Sequence, residues 1–305
     1  MKPTICVTIG ICTKNCEMTI KDCIKSVISQ DYPPKYIDLV IVDGGSKDRT
    51  LSIIEEELSR ISLRYKIIHE SSGLGYARQS VVENALGEYI IWVDGDMVLP
   101  IDFVSKQVEF MENKPKAGIG KGKYMMCKEE SLVADLENLQ FVLDFRHEGK
   151  TNSKVLATSG CIYRVKAVRQ VGGFDRNIKG VGEDMDIEHR IRNAGWELHI
   201  TPANFCEIRR KSWKSLWSEY YWHGYGGYYL FKKNRHLIDY YKMFPPIAIA
   251  KELKKSVTAY KLFKRKIFLL LPLHYVFKRI AWFSGFVKNY VNIILKHANS
   301  RFSSC

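Results

Sequence analysis

The sequence predicts an α/β fold with a mostly parallel central sheet and helices on both of its faces. In the first hundred residues, short apolar runs alternate four times with segments of helical periodicity. This order is typical of parallel sheets, because each helix returns the chain to start the next strand in the same direction. Two of the runs end in an acidic residue followed by glycine, at Asp43 and Asp94. Ligands bind beyond the carboxyl ends of such strands, so we expect both carboxylates at one cleft.

The elements are predicted from hydrophobic periodicity and from the turn residues that interrupt it. Strands are predicted at 4–11, 37–42, 65–69 and 89–93, and helices at 17–30, 51–60 and 76–86. Two later helices are predicted at 131–146, where four leucines share one face, and at 184–194, which Gly195 closes. Another helix begins at Trp213 and fits helical spacing up to Gly224, where glycines permit close packing or a kink.

The carboxylates of Asp94 and Asp96 flank Gly95 directly after the most apolar strand. Two carboxylates at this place are costly unless a cation lies between them, and their hard oxygen ligands suit Mn²⁺ or Mg²⁺. Gly95 permits a tight turn and the close approach of a ligand. A surface Asp-Gly turn is the alternative interpretation of the tripeptide.

Two further features suit a nucleotide. The loop at Gly73 opens a helix whose free N–H groups could meet a phosphate, and Arg78 adds a positive charge. A solvated helix face is the alternative for Arg78. The Asp43 carboxylate, at the end of the second strand, could accept hydrogen bonds from a nucleobase or from a ribose hydroxyl.

Length and cysteine spacing set limits on the class of protein. A chain of 305 residues with 46% hydrophobic content can bury a full core, in one large domain or in two. The eight cysteines form no CxxC pair, so we expect reduced thiols in a cytosolic protein. The chain leads directly into a strand, and no signal peptide is expected.

The basic charge lies in the last third of the chain. Residues 206–305 contain 20 Lys+Arg and 4 Asp+Glu, a net charge of +16, whereas residues 1–205 carry −2. Such a charge favours an anionic surface as partner, and no nucleic-acid motif accompanies it. Basic residues recur among apolar ones from 247 onward, and no uninterrupted apolar stretch reaches the length of a spanning helix. We therefore predict amphipathic helices that lie peripherally on the cytoplasmic face of the cell membrane. Packing on the rest of the chain or on a partner subunit is the alternative.

Four segments in order carry a resemblance to a known family. They are DGGSKDRT (43–50), SGLGYARQSVVENALGEYIIWVDGD (72–96), TSGCIYR (158–164) and GEDMDIEHRIRNAGW (182–196). With these the chain resembles the inverting family 2 glycosyltransferases, which have the GT-A fold and a metal-binding DxD motif. The resemblance implies a catalytic domain at 1–232, with a nucleotide-binding half (1–100) and an acceptor-binding half (101–232). The basic helical region then spans 233–305.

The resemblance also implies roles for the matching residues. Asp184 would be the catalytic base, and Asp96 with Asp94 would bind the cation. On the side of the donor nucleotide sugar it implies Thr13, Asn15, Asp43, Gly73, Arg78, Asp94, Gly95 and Asp96. On the side of the acceptor and the transferred sugar it implies Thr158, Ser159, Gly160, Glu183 and Trp196.

The chain departs from the family pattern at two places. The turn after the first strand keeps Thr13 and Asn15 but lacks the usual Pro and Tyr. The segment after the last core strand lacks the metal-binding His of many relatives. Glu207 could replace that His as a ligand, or Arg209 or Arg210 could hold the diphosphate directly.

These features together predict an inverting, metal-dependent glycosyltransferase. The cation stabilises the leaving diphosphate, a carboxylate takes the proton of the acceptor hydroxyl, and the helix dipole favours the ionised form of Asp184. The donor would be a UDP or GDP sugar, and the acceptor a lipid-linked or cell-surface glycan precursor. The alternatives are a polyprenyl-phosphate sugar synthase, a nucleotidyltransferase and a non-catalytic membrane-bound scaffold. The oligomeric state stays open, a homo-oligomer included.

Overall fold

The computed structural model of the chain describes residues 5–127, 131–153, 155–178, 180–235 and 245–302. The strands are β1 (Val7–Thr13), β2 (Ile37–Asp43), β3 (Arg64–His69), β4 (Tyr89–Asp94), β5 (Met97–Val98), β6 (Ala117–Tyr124), β7 (Gly149–Lys150), β8 (Cys161–Arg164) and β9 (Glu197–Glu207). The α-helices are α1 (Ile20–Ile28), α2 (Thr50–Leu58), α3 (Leu74–Asn84), α4 (Phe103–Glu112), α5 (Leu132–Asp144), α6 (Val165–Gln170), α7 (Glu183–Asn193), α8 (Trp213–Lys233), α9 (Pro245–Phe263) and α10 (Leu271–Phe302). Short 3₁₀ helices lie at Pro34–Tyr36 and Lys266–Leu270.

The strands form one mixed sheet in the order β3-β2-β1-β4-β8-β6-β9-β5, with β7 paired to β9. Strands β1 to β4 run parallel, β8 is antiparallel to both of its neighbours, and β6 and β9 are again parallel. The predicted α/β fold with a mostly parallel sheet is therefore confirmed. The carboxyl ends of β1, β2, β4, β6 and β9 and the amino end of β8 share one edge of the sheet.

Helices cover both faces of the sheet. One buried cluster joins β1 to α1, α2 and α4, and a second joins β4 to α3, α6 and α7. A third and smaller cluster joins the leucines of α5 to Ala259, Phe268 and Leu271. The helices after residue 233 therefore pack on the domain that precedes them.

Helix α8 continues beyond Gly224 to Lys233. Its glycines serve the close packing that the sequence suggested. A Cβ at Gly224 would lie 1.7 Å from the Trp282 carbonyl oxygen, and one at Gly285 would lie 2.0 Å from the Tyr221 carbonyl oxygen. Helices α8 and α10 thus approach backbone to backbone, at a distance that only glycine permits.

One sequence expectation needs correction. Cys127 and Cys206 form a disulfide, with Cα atoms 5.7 Å apart, whereas all cysteines were expected to be free thiols. The pairing of Tyr124 with Phe205 brings the ends of β6 and β9 together, and with them the two cysteines. The sequence gives no sign of this contact, because the cysteines are 79 residues apart. The helical segment Lys266–Leu295 is, by its length and composition alone, long and apolar enough to cross a membrane. Its most apolar 18-residue window has a mean hydropathy of 1.2, and 33% of that window is buried.

Candidate functional site

The carboxyl edge of the sheet gathers most of the residues that the sequence singled out. Asp43 ends β2, Asp94 ends β4, Ser159 and Gly160 precede β8, and Glu183 begins α7. Because β8 runs antiparallel to β4, its amino end meets the carboxyl end of β4. The topology therefore places these distant segments at one edge.

Asp94 uses both of its carboxylate oxygens inside the protein. Its Oδ1 accepts a hydrogen bond from Arg78 Nη2 at 3.3 Å, and its Oδ2 accepts one from Ser159 Oγ at 2.7 Å. The next residue, Gly160, has φ +63°, and a Cβ there would lie 2.4 Å from the Phe205 ring. Glycine is therefore required at 160 for the 158–160 segment to lie beneath Asp94, with Thr158 buried at its start.

Arg78 connects two sequence motifs. Its side chain is 5% exposed and packs over the Trp92 ring at 5.1 Å, so the interpretation as a solvated helix face is wrong. Its Nε donates to Glu183 Oε1 at 3.0 Å while its Nη2 reaches Asp94. One buried guanidinium thus fixes the start of α7 relative to the end of β4.

The pairing of β5 with β9 brings Asp96 and Glu207 into one part of the site, close enough for the charge of Asp96 to act on Glu207. Met97 is opposite Glu207 in this pair, and Ile208 N donates to the Asp96 carbonyl oxygen at 2.8 Å. Burial, followed by the charge of Asp94, raises the pKa of Asp96 to about 6. Burial, opposed by Arg209 and reinforced by Asp96, raises the pKa of Glu207 to about 8. Too little positive charge therefore compensates these two carboxyl groups.

The same two residues fit a divalent cation. Glu207 Oε1 accepts from Arg209 Nη1, but its buried Oε2 has no hydrogen-bond partner among the described residues. In that part of the chain, no three His, Cys, Asp or Glu side chains form a complete metal site. A cation here would complete its coordination shell with water and substrate oxygens, as Mg²⁺ commonly does when it binds diphosphates.

The acidic pair at the start of α7 divides into a buried and an accessible residue. Glu183 is 1% exposed, and its Oε2 has no hydrogen-bond partner among the described residues. Burial, followed by the charge of Asp184, raises its pKa to about 8. Asp184 is partly exposed, and its Oδ1 accepts from Met185 N at 2.7 Å. Gly182 precedes them with φ +106°, which turns the chain into the helix. Asp184 is therefore the member of the pair that a substrate can reach.

The predicted nucleotide-binding turns lie together at the ends of β1 and β2. Asp43 is 1% exposed, and its oxygens accept from Gly45 N and Ser46 N, both at 3.0 Å, and from Ser46 Oγ at 2.5 Å. Asn15 Oδ1 accepts from Lys47 N at 2.9 Å. The Asp43 carboxylate therefore braces its own loop, and a contact between it and a nucleotide stays a prediction.

Other predicted donor residues border this loop. Thr13 Oγ1 is buried without a partner among the described atoms, 2.8 Å from where a Cβ of Gly95 would lie. Gly73 precedes the first residue of α3 with φ +135°. A Cβ at Gly75 would lie 2.5 Å from the Asp175 carbonyl oxygen, so the first turn of α3 contacts protein on that side.

Trp196 does not lie at the site, and its assignment to the acceptor side is wrong. Helix α7 starts at the site and carries the chain roughly 16 Å away over its eleven residues. Trp196 then packs on Gly118, at the amino end of β6, and its Nε1 donates to Gln170 Oε1 at 2.8 Å. It therefore occupies the opposite edge of the sheet.

Sequence analysis missed one group at the site. Lys121 is fully buried in β6, and its Nζ donates to the Ser159 carbonyl oxygen. A Lys in a strand that also contains Lys123 and three glycines gives no sequence signal for such a role. Arg209, which was considered for the diphosphate, is only 8% exposed and pairs with Glu207. The nearest downstream imidazole, His223, contacts the Tyr220 ring at 5.4 Å, and burial lowers its pKa.

Comparison with known proteins agrees with this geometry. The family model described as glycosyl transferase family 2 matches residues 8–172. The poly-β-1,6-N-acetyl-D-glucosamine synthase of Staphylococcus epidermidis is 23% identical over 297 residues, which cover 90% of this chain and 69% of the relative. The probable glycosyltransferase YdaM of Bacillus subtilis is 23% identical over 230 residues, which cover 72% of this chain and 54% of the relative.

Two solved structures share the fold. The mannosyltransferase PcManGT from Pyrobaculum calidifontis, in complex with GDP-Man and Mn²⁺, has a TM-score of 0.64 and 18% identity. That match covers 93% of this chain and 86% of the other. S. aureus TarS 1–349 in complex with UDP-GlcNAc has a TM-score of 0.56 and 17% identity, and the match covers 92% and 89% of the two chains.

Proposed function

The chain belongs to glycosyltransferase family 2, and from this premise we propose that it transfers a sugar from a UDP or GDP sugar to an acceptor hydroxyl, with inversion and with a bound Mn²⁺ or Mg²⁺. The observation that carries the proposal is the position of Arg78 between Asp94 and Glu183. It ties the DxD turn to the acidic pair, so the leaving group and the base would flank one sugar.

In this proposal Asp96 and Glu207 hold the cation, with the Asp94 carboxylate beside them. The support is the unpaired Glu207 Oε2 and the raised pKa values of Asp96 and Glu207. The cation would act as a Lewis acid on the diphosphate of the donor. Arg78 holds Asp94 in place, and Arg209 orients Glu207 through their ion pair. The side chain of Arg210 is half exposed and interacts electrostatically with Asp96, so it could also bind a phosphate oxygen of the donor.

Asp184 is proposed as the base that removes the proton of the acceptor hydroxyl. Its partial exposure and its place in the first turn of α7 suit a carboxylate that must be ionised and must touch substrate. One displacement with such a base inverts the anomeric configuration. NMR of the product measures this directly, and a product with the configuration of the donor would exclude the role given to Asp184.

The donor is tested with a thermal-shift panel of UDP and GDP sugars, with and without Mn²⁺. The two solved structures are complexes with GDP-Man and UDP-GlcNAc, so these two compounds come first. A ligand at 100 times its Kd adds about 2.7 kcal/mol to the free energy of unfolding. We expect one sugar nucleotide to raise the Tm only when Mn²⁺ is present. If none does, the donor assignment fails.

The C-terminal helices are proposed to hold the enzyme on the cytoplasmic face of the cell membrane, close to a lipid-linked or cell-surface glycan precursor. Helix α9 buries Glu252 and Ser256 and exposes an apolar stripe at helical spacing. The exposed residues of this stripe are Ile249, Leu253, Val257 and Tyr260. Helix α10 likewise buries His274 and Lys278 and exposes apolar residues from Leu273 to Leu295. Polar residues inside and apolar residues outside, with basic neighbours, suit contact with anionic lipid.

Vesicle sedimentation tests this membrane contact. We expect binding to vesicles that contain phosphatidylglycerol, weaker binding to phosphatidylcholine alone, and loss of binding in the double variant Leu253→Glu/Val257→Glu. Glu55→Gln is the control, because it changes a surface residue on α2 and leaves the apolar stripe of α9 unchanged. Equal sedimentation of both variants would refute the assignment of the stripe to lipid.

A polyprenyl-phosphate sugar synthase is the second candidate, since the apolar stripes favour a lipid acceptor. An acceptor phosphate needs no strong base, so Asp184→Asn would then keep most of its transfer rate. A hydroxyl acceptor predicts a loss of about 10²–10⁴-fold in the same variant. A nucleotidyltransferase would differ from both by the release of pyrophosphate in place of a nucleoside diphosphate.

A further inference from the structure

Lys121 is a buried ammonium group directly beneath the proposed donor site. Its side chain is fully buried, and its Nζ donates to Tyr124 Oη at 3.0 Å and to the Ser159 carbonyl oxygen. The ring centroids of Tyr124, Phe145 and Phe205 lie 4.6, 5.3 and 5.2 Å from Nζ. Within the residues that the structure describes, no carboxylate forms a hydrogen bond with it.

Such a group is expensive for the fold. Moving an ammonium out of water costs several kcal/mol, which the hydroxyl of Tyr124, the carbonyl of Ser159, the aromatic faces and the charge of Glu207 must offset. A methionine of similar length would fill the same space without this penalty. The stability of the core therefore does not explain the charge at position 121.

The contacts of Lys121 lead to the site. The carbonyl oxygen that it holds belongs to Ser159, whose hydroxyl donates to Asp94 Oδ2 at 2.7 Å. The following carbonyl, that of Gly160, accepts from Gln107 Nε2 at 2.9 Å and from Gly122 N at 2.9 Å. Two successive carbonyl groups under Asp94 are thus fixed from below, the first of them by a charge.

We propose that Lys121 is a positioning residue for donor binding: its ammonium fixes Ser159, and through Ser159 the carboxylate of Asp94, while its charge offsets the carboxylates that surround the cation. The inference rests on the proposed function and extends it to a residue that touches no substrate. Among the described residues, Arg78 and Ser159 are the side chains that donate hydrogen bonds to the Asp94 carboxylate.

The variant Lys121→Met removes the charge and both hydrogen bonds but keeps the length of the side chain. We expect its donor KM, and the Mn²⁺ concentration for half-maximal rate, to rise about 10-fold, which is 1.4 kcal/mol. We expect its Tm to equal or exceed that of the wild type, because the cost of the buried charge is gone. Lys121→Gln keeps a donor for Ser159 and should recover part of the KM.

The matched control is Lys123→Met on the same strand. Lys123 pairs with Glu148 at the surface, and its loss should leave the KM within about 2-fold and the Tm unchanged. Ser159→Ala should raise the KM as Lys121→Met does. The double variant should add little to either single change, because both act on Asp94 through one path.

A purely structural Lys121 predicts a different result. Lys121→Met would then lower the Tm and the amount of active enzyme while the KM stays unchanged, or the variant would fail to fold, and either outcome overturns the inference. If the wild type binds UDP-GlcNAc or GDP-Man with Mn²⁺ and Lys121→Met binds it equally well, the inference alone fails. If the wild type binds no sugar nucleotide, the proposed function fails first and the inference with it.

Discussion

Two buried glutamates, Glu137 on α5 and Glu207 at the end of β9, face opposite electrostatic conditions. Glu137 accepts from Lys278 Nζ at 2.6 Å and from Tyr220 Oη at 2.5 Å. Burial is the largest influence and acts to raise its pKa, but Lys278, His274 and Arg209 together outweigh burial, and the pKa falls to about 2. For Glu207 burial prevails over the charges of Arg209 and Lys121, and the pKa rises to about 8.

The difference separates a contact that completes the fold from a site that needs a ligand. Glu137, Tyr220 and Lys278 join α5, α8 and α10, and their charges balance within the protein. Among the described residues, Glu207 Oε2 has no hydrogen-bond partner, and the charge of Asp96 raises the pKa of Glu207. Buried carboxyl groups with strongly raised pKa values are concentrated at functional sites, where a ligand can supply the missing charge.

The largest effect is expected at Asp96. Asp96→Asn should lower metal-dependent sugar transfer by about 10³-fold, because the cation loses a charged ligand and the leaving diphosphate loses its counter-charge. Steady-state transfer at saturating Mn²⁺ measures this. Asp102→Asn, a surface carboxylate paired with Lys106, is the matched control and should keep full activity. Equal rates for the two variants would contradict the assignment of the site.

The buried ion pair of Glu137 and Lys278 is expected to affect stability and not activity. Lys278→Met leaves Glu137 buried without its main cation and should cost about 3–5 kcal/mol of unfolding free energy. The double variant Glu137→Gln/Lys278→Met should recover most of this loss, which urea denaturation measures. Donor binding by the folded fraction should not change. A double variant as unstable as the single one would show that charge balance is not what holds α10.

The pH dependence of stability should separate the two kinds of carboxyl group. The folded pKa of Glu137 is depressed, so its contribution is present above its unfolded pKa, near 4.3, and is lost as the pH falls through about 2. The folded pKa of Glu188, one turn after Asp184, is raised to about 8, by burial first and then by Asp184. Its contribution is full below the unfolded pKa and is lost as the pH rises through 8.

The free energy of unfolding, measured by urea denaturation between pH 2 and pH 9, should therefore fall at both ends of this range. The fall at low pH is the acid arm, and the fall at high pH is the alkaline arm. Glu137→Gln should flatten the acid arm alone, and Glu188→Gln should flatten the alkaline arm alone, each by an amount on the order of 1–2 kcal/mol. Identical pH profiles for the two variants would mean that their environments do not differ as described.

The smallest effect is expected at Trp196. Trp196→Phe removes the hydrogen bond to Gln170 at the far edge of the sheet and should cost about 1 kcal/mol of stability. Because it lies away from the site, the KM values for donor and acceptor should stay within about 2-fold. A larger change in the acceptor KM would restore the role that the sequence suggested.

The sequence predicted the sheet well, because periodicity and turns are local signals. Strands β1 to β4 and the helices between them begin and end within three residues of their predicted positions. The sequence did not show which distant segments come into contact. The glycines of α8 fit Trp282 of a later helix, and Cys127 meets Cys206 through the pairing of β6 with β9.

The candidate site shows the same division. Asp94 and Glu183 stand in recognisable motifs, and their convergence follows from the order of strands. Their connection through Arg78 and the ammonium of Lys121 beneath Ser159 depend on side-chain packing across the sheet. Trp196 was misplaced because proximity to a motif along the chain ignores the length of the helix between them.

Mn²⁺ binding in the presence of UDP or GDP tests the central claim most directly. Electron paramagnetic resonance of free Mn²⁺ can count the bound ions for the wild type, Asp96→Asn and Glu207→Gln. The account predicts one Mn²⁺ per chain for the wild type and a loss of affinity of at least about 10-fold in both variants. A wild type that binds no Mn²⁺ with either nucleotide, or a Glu207→Gln variant that binds it as the wild type does, would contradict it.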